Sequence, residues 1–128
     1  MYPKVKLLLK FILEKGITNY ILSAQHQIFL NDLTSHYNID KYFLNIVGLD
    51  NHYAHSKINN GIELVKGIDV NINKILMVGD TDHDFEVAKT IGIDCVLISH
   101  GHNSFYRLNQ TNANIVENLS QLAYFLDI

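Results

Sequence analysis

The chain has one cysteine, one proline and no tryptophan among its 128 residues. A lone cysteine excludes an intrachain disulfide and a cysteine-rich zinc site, so the fold has to rest on an apolar core. No apolar run approaches the roughly 18–20 residues that a membrane-spanning helix needs, which excludes a helical membrane protein. Positive charge is also scarce. With 10 Lys and Arg against 13 Asp and Glu the formal net charge is −3, and the basic residues gather no more densely than Lys4, Lys6 and Lys10. That is not the electrostatic footprint of a nucleic-acid binder. The opening MYPKVKLLLK carries neither the long apolar stretch nor the small-residue cleavage site of a secretory leader, so a cytoplasmic location is expected. What the chain does have is 48% hydrophobic residues in short periodic runs, and residues 1–128 are read as a single domain.

Val5, Leu8, Leu9, Ile12 and Leu13 keep the spacing of an amphipathic helix, predicted over residues 3–15 with Pro3 in its first turn and Gly16 at its end. The β-branched and aromatic run 17–22 predicts a buried strand ending at Ser23. Helical spacing returns over 24–37 and stops at Asn38; a weak strand follows at 45–48. Ser56 is placed to cap a helix that starts at Lys57 and ends by Gly67. The strongest strand signal is Lys74-Ile75-Leu76-Met77-Val78, followed by Gly79-Asp80-Thr81-Asp82-His83-Asp84 and a helix through Phe85, Val87, Ala88 and Ile91 that Gly92 stops. A strand at 94–98, a short one at 113–116 and a helix at 119–126, capped from Asn118 or Ser120, complete the chain. Single buried-type strands separated by helices demand crossover connections, so the expected fold is α/β, a doubly wound, Rossmann-like α/β/α layering of a parallel sheet.

In open parallel sheets ligands sit beyond the carboxyl ends of the strands. The residues found there are Ser23, Gly48 to Asp50, Asp80 to Asp84, and Ser99 to Ser104, with Lys57 at a helix start. A hydroxyl, a lysine and a carboxylate cluster are what a magnesium-dependent phosphate site requires. Mg²⁺ takes oxygen ligands, commonly one or two carboxylates plus phosphate oxygens, while lysine and hydroxyl groups neutralise and orient the phosphoryl group.

Tyr20-Ile21-Leu22-Ser23, Ser56-Lys57 and Val78-Gly79-Asp80-Thr81-Asp82-His83-Asp84, the last followed by Ala88 and Gly92, occur in an order that resembles the haloacid dehalogenase superfamily, in particular its phosphoglycolate-phosphatase-like branch. The Gly79-Asp80-x-x-x-Asp84 match is the specific part. The resemblance implies Mg²⁺-dependent phosphoryl transfer through an aspartyl-phosphate on a small phosphorylated substrate. Ser23 and Ala24 would bind the phosphoryl group, Lys57 would pair with phosphate and nucleophile, and Asp80 and Asp84 would hold the metal. The family's first motif, a strand ending in Asp-x-Asp-Gly-Thr, has no counterpart: no aspartate precedes Ser23. The expectation is therefore the C-terminal half to two-thirds of such an enzyme, without nucleophile or cap, inactive alone. The family's first strand lies between those that here end at Ser23 and Asp80. Its absence would leave two edges open to self-association or to a partner's strand.

Taken singly, these residues also have plainer roles. Ser23 or Asp82 can cap a helix, Lys57 can be a solvated helix-start residue, and Asp80 and Asp84 can be capping acids favoured by the helix dipole. His52-x-x-His55 and His100-Gly-His102 lack the framing of a zinc site. Cys95 reads as a small core residue. A competing function is a non-catalytic phosphate- or Mg²⁺-binding module completed by a partner strand. A flavodoxin-like or receiver domain would need an aspartate or a flavin loop after its first strand, whereas this chain opens with a helix.

Overall fold

The apolar spacing near the start of the chain does produce a helix. The computed structural model describes residues 4–49, 57–99, 108–111 and 113–126. Its elements are α1 (Val5–Glu14), β1 (Tyr20–His26), α2 (Gln27–His36), β2 (Asn45–Leu49), α3 (Lys57–Lys66), β3 (Leu76–Gly79), α4 (Asp82–Ile91), β4 (Asp94–Ile98), β5 (Asn114–Val116) and α5 (Leu119–Phe125). The fold is α/β, and every strand pairing is parallel.

The chain divides into two compact units, Met1–Glu63 and Leu64–Asp127. In the first, β1 pairs with β2 and α2 packs on both strands. Buried Leu9 and Ile12 give α1 its inner stripe, and Leu30 does the same for α2. Both helices end as their sequences require. Gly16 is left-handed at φ 79°, and its N–H and that of Ile17 bond back to the carbonyls of Leu13 and Ile12, the paired bonds of a Schellman cap. Asn38, at φ 56°, closes α2 in the same way, with bonds to Ser35 and Thr34.

In the second unit the strand order is β3-β4-β5. β4 is the central strand, and Cys95, Val96, Leu97 and Ile98 are all buried, which is why this run is continuously apolar rather than alternating. Ala88, Cys95, Leu97 and Leu108 form a core against which Met77, Phe85 and Ile115 pack. β3 starts later than its apolar run suggests. The Asn71 side chain accepts from the Asn73 N–H and opens a 3-10 turn over Ile72–Lys74, so Lys74 and Ile75 precede the strand. Asn118 caps α5, its side chain accepting from the Gln121 N–H at 2.8 Å. Among the described residues no helix is long and apolar enough to cross a membrane.

Candidate functional site

Ser23 does not end its strand. β1 continues to His26, and its register against β2 slips: Leu22 faces Val47, yet His26 faces Leu49. Three β1 residues, Ser23, Ala24 and Gln25, thus bulge past the single residue Gly48. The Ser23 hydroxyl oxygen accepts from the Gln25 N–H at 3.0 Å. Its own proton is left for an acceptor oxygen, the polarity that a phosphoryl group requires. Ala24 follows on the exposed side of the bulge. Because α2 begins only at Gln27, the capping role open to Ser23 passes to His26, whose Nδ1 accepts from the Ile28 N–H at 3.3 Å.

Gly48 makes this bulge sterically feasible. A methyl group there would come within 2.6 Å of the Gln25 carbonyl oxygen and 3.0 Å of the Gln27 Cα. The Gln27 side chain covers the spot, accepting from the Gly48 N–H at 2.7 Å and donating to the Ile46 carbonyl at 3.0 Å. These are the two groups flanking Val47 that a parallel neighbour's peptide would occupy. From α3, Asn60 Nδ2 donates to the Gly48 carbonyl at 3.0 Å. Lys57 is the first residue of α3, half-buried, three positions before Asn60 and so on the same helix face. Its expected cap, Ser56, lies outside the described residues, as do Asp50, His52, His55, His100 and His102.

Asp80 and Asp84 are brought together at the carboxyl end of β3. Asp84 Oδ2 accepts from the Asp80 N–H at 3.0 Å, the Thr81 N–H at 3.2 Å and the Thr81 hydroxyl at 3.1 Å. Thr81 Oγ1 accepts in return from the Asp84 N–H, completing a capping box. Thr81, not Asp82, is therefore the N-cap, and Asp82 is the first helical residue. The Thr81-x-x-Asp84 spacing is itself the signature of such a box. Gly79 lets the carboxylate fold back, since a methyl group there would lie 2.5 Å from Asp84 Cγ and Oδ2. Asp84 is 7% exposed and Asp80 half-buried. As hard oxygen donors, Asp80 and Asp84 are the residues that would hold a Mg²⁺ ion. Among the described residues no three His, Cys, Asp or Glu side chains gather as a metal cluster.

Behind this loop, on β4, burial and then the Asp84 charge push the Cys95 thiol up to about 12, the behaviour of a core residue. Ser23, Ala24 and Lys57 thus belong to the first unit, and Asp80 and Asp84 to the second. Gln27, Gly48 and Asn60 have no local pattern that marks them, because their partners are distant in sequence.

Residues 1–98 match the model of the family described as haloacid dehalogenase-like hydrolase. The phosphoglycolate phosphatase of Vibrio parahaemolyticus is 27% identical over 125 residues, covering 95% of this chain and 54% of that protein. That of Pseudomonas savastanoi pv. phaseolicola is 26% identical over 124 residues, covering 95% and 46%. The chain thus spans about half the length of the curated relatives it matches. A haloacid dehalogenase-like family hydrolase from Streptococcus pneumoniae shares the fold with a TM-score of 0.84 at 23% identity, covering 97% of this chain and 59% of that structure.

Proposed function

Since the chain belongs to the haloacid dehalogenase-like hydrolases, we propose that it is the phosphate- and metal-handling part of a phosphatase acting on a small phosphate monoester, in the manner of its phosphoglycolate phosphatase relatives. The observation that carries the reading is the Gly79–Asp84 turn, where a capping box fixes the Asp84 carboxylate against the Asp80 backbone at the end of a parallel strand. Ser23 and Ala24 take the phosphoryl oxygens, Lys57 neutralises them, and Asp80 with Asp84 holds the cation. Bound Mg²⁺ would supply positive charge against the phosphoryl oxygens. In this reading residues 1–128 act as one partial core domain in the cytoplasm.

The 128 residues contain no Asp-x-Asp-Gly-Thr segment. Positioning and charge neutralisation without an attacking carboxylate do not complete phosphoryl transfer. The chain by itself is therefore expected to show no Mg²⁺-dependent hydrolysis of para-nitrophenyl phosphate. Turnover that Asp80→Asn abolishes would overturn this, because Asp80 would then be the nucleophile. The same lack of an Asp-x-Asp-Gly-Thr segment favours a second reading, a binding module without turnover. Supplying an Asp-x-Asp-Gly-Thr segment in cis separates the two, since only the first gains activity.

Among the described residues β1 and β3 are outer strands of their sheets, and Val78 on β3 is 45% exposed. Such edges recruit further strands. Sedimentation is expected to show self-association that a strand-forming partner segment suppresses; a stable monomer at all concentrations would contradict it.

A further inference from the structure

We propose that Gly48 and the two side chains that grip it, Gln27 and Asn60, are positioning residues that hold Ser23 and Lys57 for one phosphate group. The inference rests on the phosphate-binding role proposed above for those two residues. Ser23 and Lys57 sit where their elements are irregular or begin. Ser23 sits in a bulge where the β1–β2 ladder is out of step, and Lys57 opens a helix. The segments that carry both are tied to the same residue, Gly48.

The bulge is seated on Gly48, with the Gln25 carbonyl closer than a side chain would allow. The interrupted ladder is repaired by the Gln27 amide, which fills the ladder positions at Ile46 and Gly48 and is itself oriented by donating to Asn31 Oδ1 at 2.9 Å. The remaining Gly48 group, its carbonyl, is taken by Asn60, one turn after Lys57 and on the same face of α3. All three polar contacts lie between 2.7 and 3.0 Å. A fixed bulge and a fixed helix start, referred to one glycine, give the hydroxyl and the ammonium a common frame. A helix held only by apolar packing could slide by an ångström, a displacement large enough to matter to a positioned anion.

The test uses the full chain with inorganic phosphate as the probe and affinity read by ³¹P NMR. Lys57→Met is expected to weaken phosphate binding. Asn60→Leu, similar in volume but unable to donate, is expected to weaken it about five- to tenfold and to have little further effect in the Lys57→Met background. That non-additivity marks action through Lys57, because a general structural defect would add to the loss. Gly48→Ala should lose binding too; if it fails to fold, the Asn60 cycle still decides. If phosphate binds and Lys57→Met weakens it while Asn60→Leu leaves it unchanged, or if the two losses add, the positioning role is overturned and the phosphate site stands. If Lys57→Met leaves phosphate binding unaltered, the phosphate role of Lys57 falls and the inference falls with it.

Discussion

Asp84→Ala is expected to lower the unfolding free energy by about 2–4 kcal/mol, while Asp84→Asn loses about 1 kcal/mol or less. The difference follows from what Oδ2 does. It accepts from two backbone N–H groups and one hydroxyl in a loop that Gly79 allows it to touch. Alanine leaves those donors without their acceptor in a site where Asp84 is 7% exposed, and it dismantles the capping box of α4. Asparagine keeps an oxygen in the same place for those three donors and gives up the charge assistance. Total stability for a domain is about 5–15 kcal/mol, so the alanine loss is a large fraction of it. Chemical denaturation of both variants measures this directly. Metal binding should sort the variants differently. Millimolar Mg²⁺ is expected to shift the amide resonances of residues 79–85 in the wild type, weakly in Asp84→Asn and not at all in Asp80→Asn. Equal destabilisation by alanine and asparagine would show that the charge, rather than the acceptor geometry, holds the loop.

The elements that were legible in the sequence are those fixed by local chemistry. Gly16, Asn38 and Gly92 stop their helices because a left-handed residue lets the last carbonyls be satisfied, and that requirement is written in the residue type. The β4 run is continuous because both of its faces are buried, and its bounds were readable to the residue. The boundaries that moved were moved by contacts the local sequence does not announce. The strand expected to end at Ser23 continues because Gly48, 25 positions on, gives its bulge a seat. β3 starts late because Asn71 opens a 3-10 turn first. In the site the same division holds. The carboxylate pair was legible from Gly79-Asp80-x-x-x-Asp84, and the Thr81 cap was present as a spacing but eclipsed by the neighbouring acids. Gln27 works through hydrogen bonds spanning 19 and 21 residues and Asn60 through one spanning 12, and no periodicity encodes those.

Stability is expected to fall as pH rises from about 9 towards 12, by about 1.4 kcal/mol per pH unit, through Cys95 alone. Its thiol is pushed from an ordinary 9.0 up to about 12, first by burial on β4 and second by the Asp84 charge. The neutral form is therefore the one the folded state holds. Below pH 9 both folded and unfolded chains keep the proton, and the group adds no pH dependence. Above 9 the unfolded chain releases it while the folded chain does not, so the unfolded state gains, and the drift stops only when the folded thiol ionises as well. Urea denaturation in metal-free buffer at pH 8, 9 and 10 should show little change up to pH 9 and a loss of about 1 kcal/mol between 9 and 10 in the wild type. In Cys95→Ala the slope should be absent, although that variant starts from a lower stability because it leaves a small cavity beside Ala88 and Leu97. The same shift predicts slow chemistry. Near pH 8 the folded thiol carries about a thousandth of the thiolate of a free cysteine, so alkylation by iodoacetamide should proceed through opened molecules and accelerate with urea. Rapid alkylation of the folded chain, or an unchanged alkaline slope in Cys95→Ala, would place the thiol outside the core that β4 builds.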